Sequence, residues 1–102
     1  NLTINKNYLE TNMELKDTLK ERGNRYGDFK YVARVTEDLM NVISFSPQWE
    51  NLTPVHKQAF HMIFSKIARS VCGDPMYTDN IHDIAGYAKL LEKYLIEQQG
   101  EN

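Results

Sequence analysis

The stretch TPVHKQAFHMIFSKIARSVCG, Thr53 to Gly73, decides the fold class. Thr53 is a good N-cap, because its side-chain oxygen satisfies an orphaned amide at a helix start. Pro54 suits the first helical position, where no amide is needed, and Gly73 is a natural terminator. Between them a helix is predicted to run to Cys72. At about 100° per residue, Phe60, Ile63, Phe64, Ile67 and Val71 share one arc, a core face. The other side carries Met62, Ser65, Lys66, Arg69 and Cys72, which mixes cations with apolar residues where a solvent-facing helix is evenly polar. Lys66 and Arg69 stand on neighbouring turns. They are either solvated surface charges or a grip for a carboxylate or phosphate.

Working outward, the same periodicity predicts three more helices. Tyr8 to Gly23 carries Leu15 and Leu19 one turn apart, with Gly23 as its stop and Asn24 to Asp28 as a polar connector. In the next segment Val32, Val35, Leu39, Val42 and Ile43 recur at helical spacing until Ser46-Pro47. After an Asp74 to Thr78 loop, Thr78 or Asp79 caps a last helix to about Gln98. Ile81, Ile84, Ala85, Ala88, Leu91 and Leu95 form its core arc, and Tyr87, Leu90 and Tyr94 widen it. A helix that is apolar over so much of its circumference needs two neighbours, which in a chain this small points to a homo-oligomer. The expectation is an all-α single domain over residues 1–102, about four helices in an antiparallel bundle completed by oligomerisation. Residues 1–12 read as an extension and 99–102 as a frayed tail.

Composition narrows the function classes. With 102 residues, 41% of them hydrophobic and 25% charged, the chain supports one core. No apolar run approaches the roughly 18 residues that cross a bilayer, and Asn1 to Asn12 holds no apolar signal-peptide core, so a cytoplasmic location without a membrane partner is expected. A net charge of −2 argues against binding DNA or RNA polymers. The single cysteine, Cys72, makes no internal disulfide and reads as a packing residue. His56, His61 and His82 show no metal-ligand spacing. Trp49, between two prolines, reads as the residue that pins the long connector.

Two polar constellations remain. Asp83 sits at the edge of the apolar face of the last helix and asks for a partner: a cation, a metal, or the nearby Lys66 or Arg69. Gly86, one turn further, weakens the helix by about 1 kcal/mol relative to Ala, which suggests close approach of a helix or ligand. Glu21-Arg22-Gly23-Asn24-Arg25-Tyr26-Gly27-Asp28-Phe29 brings guanidinium groups, backbone amides and an aromatic face together, either to hold phosphate and base or simply as a capped loop.

The order Glu21-Arg22-Gly23, Arg25-Tyr26-Gly27-Asp28-Phe29, Lys66-Ile67-Ala68-Arg69, Gly73-Asp74 and Asp79 through Asp83-Ile84-Ala85-Gly86-Tyr87-Ala88 resembles a family of small phage and prophage proteins. The likeness runs from about Met13 to Leu95. That family is similar to the MazG-like all-α nucleoside-triphosphate pyrophosphohydrolases, whose paired acids on two successive helices hold Mg²⁺. Asn80-Ile81-His82-Asp83 is similar to the second acid motif, with Asn80 where that motif has glutamate, and Val55 to Cys72 contains no acid. The resemblance implies a nucleotide pocket between helices of a phage protein acting in a bacterial host. In one reading Arg22, Arg25, Tyr26, Lys66, Arg69, Asp83 and Tyr87 bind and sequester a nucleotide immune signal of the host, with no cofactor. In the other, Mg²⁺ held by Asp79 and Asp83, alone or with Asp28 or Asp74, activates water for hydrolysis. A structural or interaction bundle is the third.

Overall fold

The computed structural model describes residues 6–100, with side-chain surroundings from Asn12 onward. It is all-helical: α1 spans Lys6–Tyr26, α2 Phe29–Ile43, α3 Pro54–Cys72 and α4 Thr78–Gly100, with a short 3₁₀ turn at Trp49–Asn51. No strand occurs among the described residues, and no described helix is long and apolar enough to cross a membrane.

The third helix begins as its sequence dictates. The Thr53 hydroxyl oxygen accepts the His56 amide at 3.3 Å, and His56 Nδ1 accepts the Thr53 amide at 3.2 Å, a reciprocal cap with Pro54 in the first turn. Between His56 and Ser70 only Gln58 is exposed, because α3 lies in the middle of the molecule with α2 and α4 packed against it. The residues that pack most tightly are alanines: Ala59 is 7% exposed and Ala68 0%. The Phe60, Ile63, Phe64 and Ile67 face is half-buried, whereas Val71, expected in that core arc, is 68% exposed because the chain turns away at Gly73.

The first helix departs from expectation at both ends. It starts at Lys6, so residues 6–12 of the expected extension are helical, and it continues through Gly23 to Tyr26. A helix tolerates one interior glycine for about 1 kcal/mol, and the real terminator is Gly27. There φ is +89°, and the Gly27 amide closes on the Gly23 carbonyl at 2.8 Å. The expected polar connector shrinks to Gly27 and Asp28. Asp28 caps α2, its carboxylate accepting the Lys30 amide at 3.3 Å.

This elbow is pressed against the end of α3. A methyl group on Gly27 would stand 2.5 Å from the Cys72 carbonyl carbon, and one on Gly73 would collide with the Arg25 carbonyl oxygen. The Asp74 amide donates to that same Arg25 carbonyl at 2.9 Å. Two glycines therefore let two backbones meet and fix the end of α1 onto the α3–α4 loop. On the other connector, the Lys57 ammonium lies 4.6 Å from the centre of the Trp49 ring, as a pinning role requires.

The last helix already includes both Thr78 and Asp79, the two residues expected to cap it, and it runs to Gly100, so residues 99 and 100 of the expected tail are helical; residues 101–102 lie outside the described residues. Its buried side is narrower than expected. Asn80 and Leu91 are buried and Ile84, Tyr87, Tyr94 and Leu95 half-buried, but Ile81, Ala85, Ala88 and Leu90 are exposed. Only α3 is a substantial neighbour of α4 within the chain, so one side of the broad apolar face goes uncovered.

Candidate functional site

A cavity of about 700 Å³ lies where the C-terminal half of α1 meets α2 and α3. Leu19, Arg22, Gly23 and Tyr26 line it from α1, Phe29, Val32, Ala33, Thr36 and Glu37 from α2, and His61, Ser65 and Arg69 from α3. These α3 residues are four apart and form one stripe, so the cavity follows a single helix edge.

Tyr26 is its organising residue. The Arg69 guanidinium carbon lies 4.9 Å from the Tyr26 ring centre and that of Arg22 lies 5.4 Å away. One aromatic ring thus gathers two cations from helices far apart in sequence. Among the described residues neither guanidinium reaches a carboxylate within ion-pair distance, whereas Arg25, Arg34, Lys66 and Lys89 all do. Beside them His61 Nε2 lies 3.3 Å from a Glu37 carboxylate oxygen.

Tyr77 holds Tyr26 from behind, with ring centres 5.7 Å apart in an edge-on arrangement. Arg25 caps the Tyr77 ring at 5.0 Å and donates to its hydroxyl at 3.1 Å, and that hydroxyl donates to Asp79 at 2.8 Å. Its bond to Asp79 pushes the Tyr77 pKa above the ordinary tyrosine value. The bond to Tyr77, aided by Glu21 at 2.8 Å, likewise raises Arg25.

The predicted binding residues are therefore divided. Arg22, Tyr26 and Arg69 converge on the large cavity. Arg25 braces Tyr77 and lines neither cavity. Lys66 and Asp83 pair with each other at 3.0 Å, the Lys66 side chain 11% exposed and that of Asp83 42%, so the partner that Asp83 required is a lysine of the preceding helix. Asp83 and Tyr87 instead border a shallower depression of about 500 Å³ on α4, with Gly86 beside them. Gly86 meets nothing: no atom outside its own helical surroundings lies within 4 Å of a methyl placed there. The close approach of another helix inferred from its sequence position does not occur among the described residues.

The acids are also separated. Asp79 receives the Tyr77 hydroxyl, Asp74 the Met76 amide at 2.9 Å, Asp28 caps α2, and Asp83 holds Lys66. Among the described residues no three His, Cys, Asp or Glu side chains form a group able to hold a metal ion. Asn80 is 1% exposed, and its Nδ2 has no hydrogen-bond partner among the described residues.

Sequence reasoning passes over Thr36 and Glu37, weighs His61 only as a metal ligand and places Tyr77 only in the loop before the last helix. His61 had a usable signal, since it continues the Ser65–Arg69 stripe one turn earlier; Thr36 and Glu37 had none, because only packing of α2 on α3 brings them there. No family model matches the chain, and comparison with curated proteins and with solved structures gave no match.

Proposed function

We propose that this chain is a nucleotide-binding protein which holds a phosphate-bearing nucleotide in the large cavity and works as a homo-oligomer. The observation that carries the reading is the pair of guanidinium groups, Arg22 and Arg69, set on one tyrosine ring with no carboxylate within ion-pair distance among the described residues, although Asp28 and Glu37 line the same cavity. Guanidinium groups form strong, charge-assisted bonds to phosphate oxygens, and the apolar α2 wall supplies a surface for a base. Glu37 and His61 offer hydrogen-bonding groups to a ribose or base. Together with the likeness to phage and prophage proteins, this supports sequestration of a nucleotide signal of host defence in the bacterial cytoplasm, without hydrolysis or cofactor. The Mg²⁺-dependent pyrophosphohydrolase reading draws less support, since Asp79 and Asp83 are engaged by Tyr77 and Lys66.

The test is calorimetric titration with a panel of linear and cyclic nucleotides and ADP-ribose derivatives, with and without Mg²⁺, followed by recovery of the ligand. Tight binding with intact recovery is expected, and Arg69→Ala or Arg22→Ala should each weaken it by roughly 10- to 100-fold while circular dichroism stays unchanged. Affinity unaffected by both substitutions would remove the cavity from the proposal. Mg²⁺-dependent release of pyrophosphate would replace sequestration by hydrolysis.

A further inference from the structure

We infer that α1 is a dimerisation arm: two copies of this chain associate by seating the Leu15–Leu19 stripe of each against the open cleft of the other. The inference rests on the assembly half of the function proposed above and is independent of its nucleotide half.

Ten consecutive helical residues, Met13 to Arg22, are all exposed. No face of that stretch is packed, and a helix of such length without a packed face is marginal in water. Its pattern is nevertheless amphipathic. Leu15, Leu19, Gly23 and Tyr26 recur at helical spacing along one side, and Gly23 and Tyr26 are already half-buried within the chain. The same stripe then runs past its own bundle, leaving Leu15 54% and Leu19 58% exposed. Leu19 borders the cleft, whose α2 rim carries Phe29 at 83% exposure.

The surface area fits a second copy as the occupant. A compact monomer of 11.9 kDa exposes about 6,000 Å², whereas this chain exposes 8112 Å², an excess of about 2,100 Å². Doubled over two copies, about 4,200 Å² falls within the range of obligate homodimer interfaces. The radius of gyration tells the same story: 19.1 Å against about 13 Å for a compact chain of this length. Charge does not oppose self-association, because Glu14, Asp17 and Glu21 balance Lys16, Lys20 and Arg22. A self-complementary contact between identical surfaces closes at two copies. In that dimer the arm of the second copy roofs the Leu19–Phe29 end of the cavity and leaves Arg22, Tyr26 and Arg69 to the ligand.

Sedimentation velocity and hydrogen exchange on the full chain test this, with a Leu15→Lys/Leu19→Lys double variant. Both leucines are more than half exposed in the single copy, so the variant keeps its α2–α4 fold, checked by cooperative thermal unfolding. The wild type should sediment as a dimer, and its amides 13–22 should exchange at least roughly tenfold more slowly in concentrated than in dilute solution. The variant should be monomeric with fast exchange at every concentration. A wild type that stays monomeric up to about 0.1 mM overturns the inference, as does a variant that remains dimeric. Titration of nucleotide on the wild type separates the two ideas: a dimer that binds no nucleotide counts against the ligand and leaves the arm standing, and a monomer that binds nucleotide counts against the arm and leaves the ligand.

Discussion

Glycine carries opposite meanings at different positions in this chain. Gly27 combines a left-handed φ of +89° with a neighbouring backbone that a methyl group would strike at 2.5 Å. Gly86 lies inside α4 with open space around it. Gly27→Ala should therefore destabilise by roughly 2 kcal/mol or more, from left-handed strain plus displacement of the Cys72 carbonyl. Gly86→Ala should stabilise by about 1 kcal/mol through helix propensity alone. Urea denaturation of both variants measures the pair. A destabilised Gly86→Ala would show that something outside the single chain closes over that glycine. Asp83 belongs at this scale as well: its need for compensation was legible from its apolar surroundings, and Lys66, itself only 11% exposed, supplies it.

At the scale of elements, the joint between α1 and the α3–α4 loop is what builds the site. Tyr77 sits at its centre, supporting Tyr26, receiving Arg25 and donating to Asp79. The bond to Asp79 holds the phenolic proton more tightly in the folded chain than in the unfolded one. The resulting stabilisation is complete below the ordinary tyrosine value of about 10 and is lost as pH rises through the higher folded value. The melting-temperature advantage of wild type over Tyr77→Phe should thus be constant near neutrality and shrink above pH about 10. Melting curves that stay equally separated up to the alkaline limit would count against the Tyr77–Asp79 bond. Because Tyr77 positions Tyr26 beneath Arg22 and Arg69, Tyr77→Ala is expected to weaken nucleotide binding without removing either cation.

The whole molecule is extended, with principal dimensions of 70 × 30 × 28 Å and only Val32, Ala59, Ala68 and Leu91 as buried apolar residues among those described. So few fully buried apolar side chains leave a hundred-residue chain with a narrow margin over its conformational entropy. Association of copies would supply further burial, and stability then depends on concentration by mass action. Differential scanning calorimetry should accordingly show a melting temperature that rises with protein concentration. A concentration-independent value would mean that the single chain is stable by itself.

The sequence by itself determined the helices and their firmest boundaries. Capping and termination are local chemistry, so Thr53, Pro54 and Gly73 mark α3 without reference to anything distant. It also placed Arg22, Tyr26 and Arg69 among the residues of interest, Arg69 from its place on a helix face and Arg22 and Tyr26 from the composition of a glycine-flanked connector. Which of these candidates meet was decided only in three dimensions. Lys66 and Arg69 stand on neighbouring turns, yet one is committed to Asp83 and the other to Tyr26. The difference arises from the side on which α4 and the elbow of α1 pack against α3, and the elbow can approach only because Gly27 and Gly73 let two backbones touch.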